Sequence, residues 1–269
     1  MKRLCLVIAC LLPISASAQI DITLAEFGIV DINDASQDVS GFKALIGDLG
    51  SVFGPTLLGP ANTTGALGFD IGLDYSVSTI NKKSAHWNKV FTANNKSVDD
   101  APGVLSIVQL KMRKGLPYSF ELGGNVGKLL DSDLWAMGLS LRYAVLEGYR
   151  LLPDIALTAG ISTILGSREM SILVSGGALT ISKAFGVAGI VSLTPYVSYN
   201  PLVVRASSYV IGRFDEEQRL VRFVLAPETV LRHRAAIGVH AVANNFTLAI
   251  EAIITSGVQT FTTQVGATF

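Results

Sequence analysis

Nucleophilic catalysis needs a hydroxyl or thiol, a base within hydrogen-bond reach, and a group that orients the base. Histidine is the usual base, and the chain has three: His86, His233 and His240. His86 follows Ser84 by two residues and precedes Trp87 in a polar stretch. That combination could serve a loop site, although a solvated histidine is the plainer reading. His233 has the parity of apolar neighbours. His240 shares the polar parity of its segment with Arg232 and Arg234, and Glu251 in the next segment is placed to meet it. No serine of matching parity completes that set. Metal-ligand spacing, a phosphate-cradling glycine loop and a nucleotide fingerprint are all missing from the sequence, so no cofactor is expected. The two cysteines, Cys5 and Cys10, fall in a segment expected to be removed, which leaves no thiol chemistry.

What does carry chemical character is a set of charges on one parity: Asp70, Asp74, Lys111, Arg113, Glu121, Arg142, Arg232, Arg234, His240 and Glu251. Their signs tend to alternate from one segment to the next. Asp70 and Asp74 precede Lys111 and Arg113, then come Glu121 and Arg142; farther on, Arg232 and Arg234 precede Glu251. Opposite charges gathered in a confined interior favour paired, hydrogen-bonded ions over isolated ones. Two uses stay open. The ladder could fill an interior with salt bridges, or line a constriction that selects what passes.

Such a ladder must be held by strands, and the chain supplies them from Gly65 onward. Leu67, Phe69, Ile71, Leu73, Tyr75 and Val77 alternate with Gly68, Asp70, Gly72, Asp74, Ser76 and Ser78. A period of two is a strand with one apolar and one polar face. Similar segments follow at 104–114, 118–129, 135–145, 155–165, 170–183, 187–199, 230–242, 246–255 and 258–269, giving about ten. In the sixth, a flip of faces by a bulge is expected at Gly176-Gly177. Two long connections, Asn81 to Pro102 and Asn200 to Glu228, contrast with short turns elsewhere. The first reads as a polar loop containing Lys96, Asp99 and Asp100. The second reads as a hairpin around Asp215-Glu216-Glu217-Gln218. Tyr75, Tyr118, Tyr143, Tyr199 and Phe269 have the outward parity.

The last segment alternates Phe261, Thr263, Val265, Ala267, Phe269 with Thr260, Thr262, Gln264, Gly266, Thr268 and stops on its aromatic residue. A free edge of that kind invites pairing with other chains, and pairing with the first strand would abolish it. In this alternation and this terminal Phe the chain resembles the bacterial outer-membrane β-barrel proteins. The resemblance covers the whole mature chain in pattern and implies an all-β, antiparallel, up-and-down transmembrane barrel over residues 65–269. It further implies that Phe269 belongs to an assembly signal, and that the partners are outer-membrane lipids and the barrel-assembly machinery. The functions in view are a small porin-like channel for a small solute, or a non-conducting structural or ligand-binding barrel. A barrel-embedded lipid-modifying enzyme stands third, since no motif of such enzymes is present.

Composition agrees with that class. Of 269 residues 49% are apolar and only 16% charged, with a mean hydropathy of +0.47. Lys+Arg and Asp+Glu are balanced at 21 each, and no basic patch points to a nucleic acid. Residues 1–18 read as a secretory signal: Lys2 and Arg3, an apolar run, then Ala16-Ser17-Ala18. Residues 19–64 lack the period of two. Within them Phe42, Leu45, Ile46, Leu49 and Phe53 recur at helical spacing up to Gly54-Pro55, predicting a helix from about Gly41 to Val52. This stretch reads as a periplasmic leader packed on the barrel rim. A plug inside the lumen is the alternative, set lower because the helix has an apolar stripe and a lumen is usually polar.

Overall fold

The computed structural model of the chain describes residues 22–28, 38–56, 58–93, 102–149, 151–214 and 220–269. The expected signal at 1–18 lies outside the described residues, as do Lys96, Asp99, Asp100 and Asp215 to Gln218. Thirteen strands follow in order: β1 (Phe69–Thr79), β2 (Val104–Leu116), β3 (Phe120–Leu129), β4 (Trp135–Leu146), β5 (Asp154–Leu165), β6 (Met170–Ser182), β7 (Phe185–Val187), β8 (Val191–Ser208), β9 (Ile211–Phe214), β10 (Leu220–Phe223), β11 (Glu228–Ala243), β12 (Phe246–Thr255) and β13 (Val258–Thr268). Helix α1 (Val39–Phe53) precedes them, and α2 (Ala85–Ala93) lies between β1 and β2.

Ten of the strands form one closed antiparallel barrel in the order β1 to β6, β8, β11, β12, β13. The seam runs from Asp70↔Thr268 to Thr79↔Gln259. Phe269 extends it, exchanging backbone hydrogen bonds with Phe69 at 2.8 and 2.9 Å. Among the described residues no strand edge of the barrel is left for another chain to pair with. β9 and β10 form the separate hairpin expected in the second long connection.

Faces alternate as the period requires. Leu73, Leu139, Leu141, Val203, Ile237, Phe261 and Val265 are exposed, whereas Asp74, Lys111, Arg113, Glu121 and Gln264 are buried. A soluble fold would put those apolar residues inside. An outer face of this composition is stable only against hydrocarbon, and the closed ladder satisfies the backbone there. Tyr75, Tyr118, Tyr143, Tyr199 and Phe269 are all on the exposed face.

Two expectations about local structure are corrected. No bulge flips the faces at Gly176-Gly177: Gly176 pairs with Leu202 and Leu179 with Tyr199, so the register is unbroken. Only the pairing lapses between them, where Pro201 has no N–H to give. The alternation looked broken because Ile172 and Val174 are apolar yet face inward, and both are buried. The first long connection is not simply polar loop either. Trp87, Val90 and Phe91 form the buried face of α2, at the i, i+3, i+4 spacing of a helix.

Candidate functional site

The lumen has two zones, and residues 38–64 pass through both. In the zone nearer the long connections the inward side chains are Leu105, Ile107, Ile172, Val174, Leu202 and Val204, all buried in one cluster with Phe42, Leu45, Ile46, Leu49 and Phe53 of α1. The apolar stripe that suggested a place on the rim meets an apolar wall inside. Gly50 permits a close approach there, since a Cβ at that position would lie 2.2 Å from Val204.

The ends of α1 are fixed by polar contacts. Asp38 is the N-cap and accepts from the Gly41 N–H at 2.9 Å, satisfying one of the donors a helix start leaves open. It also pairs with Lys89 of α2 at 2.6 Å. Burial opposes ionisation of Asp38, but Lys89, the Gly41 N–H and the Ser40 hydroxyl outweigh it and hold the carboxyl below its usual range. At the other end the wall supplies donors to the open carbonyls. Arg234 donates to Ser51 O at 3.4 Å and Pro55 O at 2.6 Å, and Ser162 donates to Phe53 O at 2.8 Å.

Asp48, in the middle of the helix, joins three elements. Its Oδ2 lies 2.9 Å from His86 Nε2 and accepts from Trp87 Nε1 at 3.0 Å, while Oδ1 is 3.5 Å from Arg232. Ser84 Oγ is 3.3 Å from the same His86 nitrogen. Serine and aspartate thus both address Nε2. A relay needs one ring nitrogen for the hydroxyl and the other for the carboxylate, so this set is a clamp between plug, loop helix and wall.

Beyond Pro55, residues 58–64 run without helix or strand, bending at Gly59 and at 61–62, through the charged zone. Lys111 donates to Leu58 O at 3.0 Å and Arg142 to Pro60 O at 2.7 Å. Ser182 accepts from the Ala61 N–H at 2.9 Å, Glu147 from the Thr63 N–H at 2.7 Å and Glu121 from the Thr64 N–H at 3.1 Å. Around this segment the wall charges pair. Arg113 meets Asp70 at 3.1 Å and Glu121 at 3.6 Å, and Arg142 meets Glu121 at 3.6 Å. These groups are buried at both partners, where unpaired charge would cost several kcal/mol.

Each residue of the ladder can now be placed. Asp70, Arg113, Glu121 and Arg142 come together as one ion-pair network around residues 58–64, and Lys111 meets the same segment at Leu58 O. Asp74 instead accepts from Gln264 at 2.6 Å. Glu251 accepts from Tyr196 at 2.8 Å rather than meeting the basic residues of β11. Arg232 turns to Asp48, and Arg234 to Asn200 and the plug backbone. His240 is buried beside Ala249, its cross-strand partner, and its Nε2 has no hydrogen-bond partner among the described residues. His233, of the outer parity, is exposed and lies 2.7 Å from Tyr199 OH. Sequence reasoning did not single out Asp48, Ser162, Ser182, Tyr196, Asn200 or Gln264. Parity marks the wall residues as inward, but only the course of residues 38–64 shows which of them have a task.

No protein-family model matches the chain, and no curated protein does. Among solved structures, Ail, the attachment invasion locus protein of Yersinia pestis, is 14% identical over 76% of this chain and 99% of its own, with a TM-score of 0.27. The KdgM porin is 9% identical over 74% of this chain and 99% of its own, at 0.34. The translocator domain of autotransporter NalP from Neisseria meningitidis is 9% identical over 86% and 96%, at 0.35. Likeness at this distance carries no functional meaning, and the barrel assignment stands on its own closed topology.

Proposed function

We propose that the protein is a bacterial outer-membrane barrel that is closed at rest by its own residues 38–64. Its apolar outer face and closed ladder suit a membrane, and a signal at 1–18 would bring it to the outer one. The observation that carries closure is the row of wall donors on plug carbonyls, from Arg234 at Ser51 to Arg142 at Pro60. The burial of Arg113, Glu121, Arg142 and Gln264 in the lumen supports a closed resting state over a porin-like path. The ladder therefore serves to hold the segment, and no solute selects against it at rest. Functions that remain with the resting barrel are structural support and ligand contact by the connections around α2 and the β9–β10 hairpin. No catalytic role is assigned to the Asp48–His86–Ser84 clamp.

Single-channel recording in planar bilayers tests this. The full chain should show no steady open level, and a variant lacking residues 19–64 should conduct. A steady conductance of the full chain equal to that of the truncated one would overturn closure.

A further inference from the structure

The direction in which the plug runs has a consequence for the membrane sides. Near its start, Thr23 bonds Glu169 in the β5–β6 connection at 3.1 Å, Asp38 bonds Lys89 of α2, and Lys43 meets Glu228 at 3.1 Å. All three partners lie at the rim that bears the long connections. Near its end, Thr63 and Thr64 bond Glu147 and Glu121, and β1 then begins at the rim of short turns, opposite Lys114. Between these points the wall contacts follow the segment: Val204 at Gly50, Ser162 at Phe53, Leu202 at Gly54, Lys111 at Leu58 and Arg142 at Pro60. The segment crosses the barrel once, from the long-connection rim to the turn rim.

Length permits a full crossing. Fifteen residues of α1 span roughly 22 Å at ~1.5 Å each. The stretch 54–64 adds up to ~36 Å if extended, against a hydrocarbon core of ~30 Å. Parity completes the point. Ten strands bring the chain back to the rim where β1 began, so Phe269 sits at the turn rim while Ile22 sits at the other.

We infer that the barrel holds its own N-terminal segment as a polypeptide carried through the wall, so that residues 22–28 and 38–40 lie at the cell surface. This rests on the outer-membrane reading, with long connections outward and short turns toward the periplasm. The charged zone suits such a passage because it grips main-chain groups. Lys111 and Arg142 hold carbonyls, and Ser182 and Glu121 hold N–H groups, which any sequence offers. The seam from Asp70↔Thr268 to Thr79↔Gln259 is paired without a gap. A formed α1 has no lateral way in once that ladder closes, so the segment is laid in before closure or drawn through unfolded.

Cysteine labelling on cells decides it. With Cys5 and Cys10 replaced by alanine, single variants Ser40→Cys, Lys83→Cys, Leu67→Cys and Tyr118→Cys all present exposed positions. Lys83→Cys marks the long-connection side and Tyr118→Cys the turn side. A membrane-impermeant maleimide should label Ser40→Cys and Lys83→Cys equally before and after permeabilisation, and Leu67→Cys and Tyr118→Cys only after it. If Ser40→Cys instead follows Tyr118→Cys, the crossing is refuted whichever way the barrel is inserted. If Tyr118→Cys and Leu67→Cys label on intact cells while Lys83→Cys and Ser40→Cys are protected, the surface placement is refuted. Neither result bears on conductance, so closure of the resting lumen stands or falls separately.

Discussion

Removing the Asp48 carboxylate is the sharpest probe of how the plug is held. Asp48 is 6% exposed and Trp87 is fully buried, so water cannot replace the acceptor that Asp48→Ala takes away. A buried donor left without a partner costs about 1–3 kcal/mol, and hydrogen bonds to a charged group are worth about 1.5–3 kcal/mol. Among the described residues Trp87 loses its one acceptor, His86 loses a contact at 2.9 Å, and Arg232 keeps only Ala44 O at 3.4 Å. The total expected loss is about 3–5 kcal/mol, the range for breaking one side of a buried pair. It should fall on the α1–α2 junction and spare the barrel, whose ladder does not involve Asp48. The readout is hydrogen exchange of α1 and α2 amides together with Trp87 fluorescence in a Trp135→Phe background, which removes the other tryptophan. The expected result is faster exchange across both helices, a red-shifted Trp87 and unchanged protection of β1 and β13. Unaltered exchange in α2 would refute the clamp. Equal loosening of β13 would show that plug and barrel are one cooperative unit.

Other substitutions test the rest of the reasoning. Leu139 is 62% exposed on the outer face, so Leu139→Arg should cost roughly 2–4 kcal/mol in folding titrations into lipid vesicles; tolerance would mean the faces are misassigned. Arg142→Leu should leave insertion intact while freeing Pro60 O and weakening Glu121, which keeps Arg113; the signature is faster proteolysis of residues 54–64, and a failure to insert would contradict it. Deleting Phe269 removes its two backbone bonds to Phe69 and should lower the heat-modifiable folded fraction in cells; undiminished assembly would count against its role at the seam. The Asp38 carboxyl is held below its ordinary value. Its stabilisation of the α1 start is therefore full above the unfolded aspartate pKa of about 4 and lost as pH falls through the lower folded value. Asp38→Asn should abolish that acid dependence of α1 exchange, and an identical acid profile would refute the assignment.

The strands were legible because their signal is local. Alternation such as Leu139/Ser140/Leu141/Arg142 is written in consecutive residues, and it separates lipid from lumen wherever the inner neighbour is polar. The same rule misled where the inner wall is apolar, at Ile172 and Val174, because a period of two records that faces differ and not what each one meets. The seam was also within reach, since a terminal aromatic strand needs a partner and β1 is the other free edge. Tertiary structure alone decided the interior. Whether Glu251 meets Arg234 or Tyr196, and whether Arg232 meets a wall acid or Asp48, depends on the stagger of tilted strands and on residues 38–64 lying between them. Asp48 and Arg232 stand far apart in the chain, and nothing near either one records their meeting. Pairing inside a barrel is set by long-range closure, which sequence periodicity does not encode.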